Sequence, residues 1–254
     1  AKIEDQEGVK NIEEIIQESD GIMVARGDLG VEINFFELPT VQRRIVRLCA
    51  KYGKRVIVAT HLLESMINNP VPTRAEVTDV ANAVYEEADA VMLSGETTVG
   101  KYPTKCVRYL SQIAEHIEKS RGLRFTDQLI LDDKKQNIAA SAVHLAESIA
   151  AKGIVVITRR GLMANMVTNC HPHKSGVYAF TNDSRTRRLL ALNRGVHAYR
   201  INFSQDPEKT LAAAFQQLLE REPEIHPGDQ VVVISDILAG TGIEAIQIRE
   251  LKHL

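Results

Sequence analysis

The sequence predicts an α/β protein built as two successive units, each a set of strands covered by helices. Two observations carry this. Short apolar runs alternate with stretches of helical spacing through roughly the first half. The same alternation then resumes beyond a charged, turn-rich segment between residues 120 and 136. Repeated strand–helix units need long crossovers, which makes their strands parallel and their connections right-handed. The chain has 254 residues, 44% hydrophobic and 25% charged, as in an ordinary globular protein. That length suits one large domain or two modest ones.

In chain order, the first strand-like run is Ala1–Glu4, followed by a helical face at Ile12, Ile15 and Ile16 within residues 11–19. The apolar runs 22–25, 55–59 and 90–93 are β-branched or sulfur-rich and too short for buried helices, so they read as strands. A helix is expected around Val41–Ala50. The stretch from Arg121-Gly122-Leu123 to Asp133-Lys134-Lys135 breaks the pattern, and the boundary is placed there, giving units 1–122 and 123–254. Beyond it, residues 138–151 are alanine-rich and helical. Strands are expected at 154–158, 176–181, 198–203 and 230–235, with helices at 184–192 and 208–220. This second unit reads as an open sheet with helices on both faces.

Composition removes several function classes. A net charge of −2 gives no basis for a nucleic-acid or anionic-membrane partner. No apolar run approaches the roughly 20 residues that cross a bilayer. Cys49, Cys106 and Cys170 are scattered and lack metal-ligand spacing, which points to a reduced, cytoplasmic setting. The chain opens inside a strand with neither an initiator methionine nor a signal peptide, so a truncated or processed start is expected.

The residues that suggest chemistry sit at the ends of the first unit's strands: Glu4, then Arg26-Gly27-Asp28, then Thr60-His61, then Ser94-Gly95-Glu96. In a barrel of parallel strands the C-terminal edge is the catalytic face, because the loops after the strands converge there. Glu4 and Asp28 form a hard oxygen pair suited to Mg²⁺, which takes one or two protein carboxylates and completes its shell with substrate and water. Lys2 shares a strand face with Glu4 and would stabilise a transferring phosphoryl group. Each residue alone has a plainer reading: a turn, a solvated lysine, a rim glutamate, or an Arg26–Asp28 surface pair worth little. Spacing alone describes a barrel enzyme that handles phosphates or carboxylates.

The literal strings go further. Residues 22–32, Ile-Met-Val-Ala-Arg-Gly-Asp-Leu-Gly-Val-Glu, closely resemble the pyruvate kinase segment around its second metal ligand. Ala1-Lys2-Ile3-Glu4 is similar to that family's Lys-Ile-Glu strand. Residues 59–66 match its Ala-Thr-Gln-Met-Leu-Glu-Ser-Met string except at His61 and Leu62. Pro72–Val77 and Met92–Thr97 match as well, in the family's order. The resemblance implies the second half of a TIM (β/α)8 barrel followed by the C-terminal α/β domain. It implies phosphoryl transfer from phosphoenolpyruvate to ADP, dependent on Mg²⁺ (or Mn²⁺) and K⁺, in a homotetramer.

By the same resemblance Glu4 and Asp28 hold the Mg²⁺, and Lys2 neutralises the phosphoryl group. Backbone N–H groups of Gly27 and Asp28 hold the substrate carboxylate, Arg26 shapes that turn, Thr60 delivers or positions the proton, and Ser94 belongs to the proton relay. The K⁺ ligands, an arginine for the phosphate and much of the nucleotide cleft are expected in a first half that this chain lacks, so the chain alone is not expected to turn over. His61 is open between a supporting hydrogen-bond donor and a rim histidine.

In the second unit the family's hydroxyl-rich effector turn here reads Thr158-Arg159-Arg160-Gly161-Leu162-Met163-Ala164. Without its hydroxyls it is expected to bind a sugar bisphosphate poorly. Arg159 and Arg160 leave open another anion or a purely structural turn. The run Arg185–Arg188 reads as the solvated face of a helix. Two rivals stand beside this reading: a Mg²⁺-dependent barrel lyase acting on phosphoenolpyruvate or pyruvate, and a non-catalytic regulatory fragment.

Overall fold

A computed structural model describes residues 1–235 and 245–252 of the chain. Four strands open it: β1 (Lys2–Ile3), β2 (Gly21–Ala25), β3 (Arg55–Ala59) and β4 (Ala90–Met92). They form one sheet in sequence order, parallel throughout, with Ala25 level with Ala59 and Ala59 level with Met92. One face of this sheet presents Ile22, Val24, Val56 and Val58 to helices Ile12–Glu18 and Leu38–Tyr52, which answer with Ile12, Ile16, Ile45, Val46 and Cys49. Burying each such branched side chain contributes roughly 1.5–3 kcal/mol. On the opposite face Met23, Ile57 and Ala90 lie in one row and are half-buried.

The helices start and stop where local chemistry directs. Leu38–Tyr52 carries Pro39 in its first turn and ends at Gly53, whose φ of 62° lets its N–H return to Ala50. Helix Arg74–Tyr85 begins with a complete capping box: the Thr73 side chain accepts from the Glu76 N–H, and Glu76 accepts from the Thr73 N–H. The Thr-Arg-Ala-Glu string is therefore, in part, a helix start. Helix Pro103–Ile117 helps cover Leu62, Leu63 and Met66 through Cys106, Tyr109, Leu110 and Ile113.

The two compact units are residues 1–130 and 131–254, a division eight residues later than the composition break at 122–123. Residues 123–130 stay with the first unit through specific bonds. The Leu123 N–H donates to the Tyr85 carbonyl, and those of Arg124 and Phe125 donate to the buried Glu87 carboxylate. The Ile130 N–H donates to the Lys51 carbonyl. Charged composition at 121–124 hides these contacts because they are made by backbone.

The second unit contains β5 (Gly153–Ile157), β6 (Gly176–Thr181), β7 (Val196–Arg200), β8 (Gln230–Ser235) and β9 (Ala245–Glu250), ordered β7-β6-β5-β8-β9. All pairs are parallel except β8 with β9. Ile154, Val156, Val177, Ala179, Val232 and Ile234 face helices Lys134–Ser148 and Leu162–Asn169. Val155, Ile157, Phe180, Val231 and Val233 face helix Pro207–Arg221. Both sheet faces are thus covered, which is why these strands read as unbroken apolar runs. The antiparallel β9 was not foreseen from sequence, and β7 begins two residues before the expected start at Ala198. Both are outer strands, alternately exposed, so their pattern is weaker than that of the central strands.

Candidate active site at the strand ends of the first unit

The polar residues expected at the strand ends do gather there. The Lys2 ammonium donates to the Glu4 carboxylate and, at 2.7 Å, to Asp28 Oδ2, so both carboxylates converge on one point from neighbouring strand ends. The lysine holds the Asp28 carboxyl below the usual carboxylate range, and Asp28 and then Glu4 push the ammonium above the usual lysine value. These side chains are about half exposed. Among the described residues no group of three or more His, Cys, Asp or Glu side chains forms a metal cage. Two carboxylates meeting at a single cation nevertheless fit an ion that keeps most of its shell for water and substrate oxygens.

The second part of the site is a strained turn after β3. Thr60 has φ 70° and His61 has φ 54°, values that L-residues, and a β-branched threonine above all, rarely adopt; such strain costs on the order of 1–3 kcal/mol per residue. Arg26 supplies the restraint. Its Nε and Nη2 donate to the Thr60 carbonyl at 3.2 and 2.6 Å, and the Gly27 N–H donates to Thr60 Oγ1 at 2.8 Å. Arg26 is itself buried and fixed bidentately by Asp79 at 2.7 and 2.8 Å, with Gln42 Oε1 at 3.4 Å. Behind it, the fully buried Glu86 accepts from Gln42, Arg43 and Asn82. A planar fork with five donors suits this crowded acceptor set, whereas a lysine would not.

Arg26 therefore pairs with Asp79 of helix Arg74–Tyr85 and not locally with Asp28, because it points beneath the turn while Asp28 points to Lys2. Asp79, Gln42 and Glu86 were missed in the sequence. The one available signal was an arginine directly after an apolar strand, a charge that needs a buried partner. The Gly27 N–H, expected to meet a substrate carboxylate, is given to Thr60 in this structure.

Ser94 stands at the end of β4. Its N–H donates to the buried Glu96 carboxylate, which also accepts from the Leu63 N–H, tying the loops after β3 and β4 together. Its carbonyl accepts from the Thr97 and Thr98 hydroxyls.

Comparison with known proteins gives this arrangement a family. Residues 1–107 match the family model described as pyruvate kinase, barrel domain, and residues 136–247 match that for the pyruvate kinase alpha/beta domain. The chain belongs to the pyruvate kinase family. It is 41% identical over 247 residues to chloroplastic pyruvate kinase isozyme A of Ricinus communis, covering 94% of this chain and 42% of that protein. A pyruvate kinase of Borreliella burgdorferi is 40% identical over 242 residues, covering 92% of this chain and 50% of that protein. The crystal structure of a pyruvate kinase from Cryptosporidium parvum superimposes with a TM-score of 0.92 at 36% identity, over 98% of this chain and 50% of that one. The chain thus spans about half the length of the relatives it matches. In family terms its four-stranded parallel sheet belongs to the barrel domain and its second sheet to the alpha/beta domain.

In that second domain, the turn after β5 is locally closed. Thr158 is buried, and its Oγ1 accepts from the Gly161 N–H at 3.1 Å. The Arg159 carbonyl accepts from the Thr181 and Thr186 hydroxyls. The side chains of Arg159 and Arg160 are exposed, as are those of Arg185, Arg187 and Arg188 on helix Ser184–Leu190. Among the described residues no helix is long and apolar enough to cross a membrane, and all three cysteines are free thiols.

Proposed function

We propose that this chain supplies one side of the active site of an enzyme that transfers the phosphoryl group of phosphoenolpyruvate to ADP. The observation that carries the proposal is the meeting of Lys2, Glu4 and Asp28 at adjoining strand ends, beside a restrained Thr60. Glu4 and Asp28 would hold Mg²⁺ (or Mn²⁺). When bound, that ion offsets negative charge on the phosphoryl and enolate oxygens. Lys2 places a fixed positive charge next to the same point, where charge on the transferring group is greatest. The phosphorus–oxygen bond to the enol oxygen breaks as one forms to the terminal ADP oxygen. The enolate methylene carbon then takes a proton, giving pyruvate. Thr60, whose hydroxyl already accepts from Gly27, would orient or deliver that proton, with Ser94 further along the relay. The Asp28 N–H, and the Gly27 N–H once it turns from the Thr60 hydroxyl, would face the substrate carboxylate at the opening of helix Arg26–Glu32.

The K⁺ dependence, the homotetramer and a reducing, cytoplasmic setting belong to the same reading. They rest on family likeness and, for the last, on the three free thiols. Because the relatives are about twice as long, complete catalysis would need the other side of the barrel, and the 28.2 kDa chain alone would not turn over. A coupled assay for ADP-dependent pyruvate formation, run on the native gene product and on this chain separately, tests both statements. Activity from the native product alone is expected. No activity from it would reject the assignment, and steady turnover by the isolated chain would reject the need for the other half. Intact mass of each sample shows which species was assayed.

A further inference from the structure

The strained turn after β3 directs a second side chain at the same place as Thr60. A Cβ built on Gly27 would lie 3.3 Å from Thr60 Oγ1, 3.3 Å from His61 Cε1 and 3.8 Å from His61 Nε2. Only a glycine lets the Thr60 hydroxyl and the His61 imidazole close in on this backbone from two sides, and both side chains border the same stretch of main chain. Asp28, next in sequence, carries the carboxylate that meets Lys2, so this stretch adjoins the point where the charged groups converge. His61 is not a packing residue. Its side chain is 57% exposed, and a nearby carboxylate oxygen, Glu64 Oε2, is 4.0 Å from Nε2, too far for a direct hydrogen bond. Its backbone is left-handed at φ 54°, and the ring edge lies within 3.3 Å of where a Cβ on Gly27 would stand.

Resting on the phosphoenolpyruvate reading above, we propose that His61 is a substrate-binding residue of this site. Its imidazole N–H would donate to the carboxylate of phosphoenolpyruvate lying over Gly27. The carboxylate keeps its charge from bound substrate to transition state, so a bond to it strengthens both alike and its contribution appears on substrate binding and not on the chemical step.

The test is steady-state kinetics and calorimetric titration of phosphoenolpyruvate with the native full-length protein, comparing wild type, His61→Ala and His61→Gln. A hydrogen bond to a charged group predicts that His61→Ala raises KM and Kd for phosphoenolpyruvate about tenfold, with kcat within about twofold and KM for ADP unchanged. His61→Gln keeps an N–H donor and should recover most of the loss. A structural role would instead lower kcat and thermal stability in both variants. Unchanged KM and Kd in His61→Ala, with the wild type active, would overturn the role of His61 alone. A wild type that forms no pyruvate from phosphoenolpyruvate and ADP would overturn the underlying reading, and this inference with it.

Discussion

Replacing Asp79 by alanine tests whether the buried Arg26 cluster holds the active-site turn. In the native structure the Arg26 guanidinium is 7% exposed as a residue and makes two bonds to Asp79, two to the Thr60 carbonyl and one long contact to Gln42. Removing Asp79 takes away its only anionic partner among the described residues and leaves a buried cation facing neutral acceptors. Removal of one member of a buried pair costs about 3–5 kcal/mol. The Asp79 side chain is 35% exposed, so water can partly replace it, and the expected loss is about 2–3 kcal/mol.

With a urea dependence of roughly 1–3 kcal/mol per molar, the unfolding midpoint of the first unit should fall by about 1 M. The chain has no tryptophan, so far-ultraviolet circular dichroism with tyrosine fluorescence is the readout. The double variant Arg26→Met, Asp79→Leu removes the charge together with its partner and should be less destabilised than Asp79→Ala alone. A midpoint for Asp79→Ala within about 0.2 M of wild type, or a double variant weaker than the single one, would refute the claim that an uncompensated charge is what the aspartate prevents.

Other outcomes follow from the same geometry. Lys2→Met in the native full-length protein should lower kcat for pyruvate formation by at least about 10²-fold while leaving thermal stability almost unchanged, since Lys2 is half exposed. Cys170 is pushed up to about 11 by burial, against a weaker opposing bond from Gln136. The thiol stays protonated far above its unfolded value. Native labelling by a thiol-disulfide reagent should therefore be slow at pH 8 and accelerate only as pH rises towards 11, with rapid labelling in denaturant. By linkage, the raised value means that this thiol's ionisation favours the unfolded chain as pH rises from the ordinary cysteine value of about 8.5 towards 11, and leaves stability unaffected below that window. Fructose 1,6-bisphosphate should give no activation, because Thr158 is buried and takes up the Gly161 N–H, while Arg160 and Met163 stand where hydroxyls would bind a phosphate. A saturable activation curve would show that the exposed arginines suffice.

Local pattern determined a good deal of this protein. Runs such as Arg55–Ala59 and Gln230–Ser235 are strands where expected, because alternating or continuous burial writes itself into consecutive residues. The polar residues that end the first unit's strands are legible for the same reason: a buried run must stop where side chains meet solvent, and in parallel sheets those stops share an edge. Local pattern could not say which of these charges pair. Arg26 lies two residues from Asp28 and 53 from Asp79, yet it bonds the distant one, because strand and helix packing, and not sequence separation, sets the distance between side chains. The left-handed turn at Thr60 and His61 is likewise invisible in the chain, since a β-branched threonine strongly disfavours it. It exists because a buried guanidinium, anchored by a helix that starts 14 residues further on, holds the Thr60 carbonyl in place.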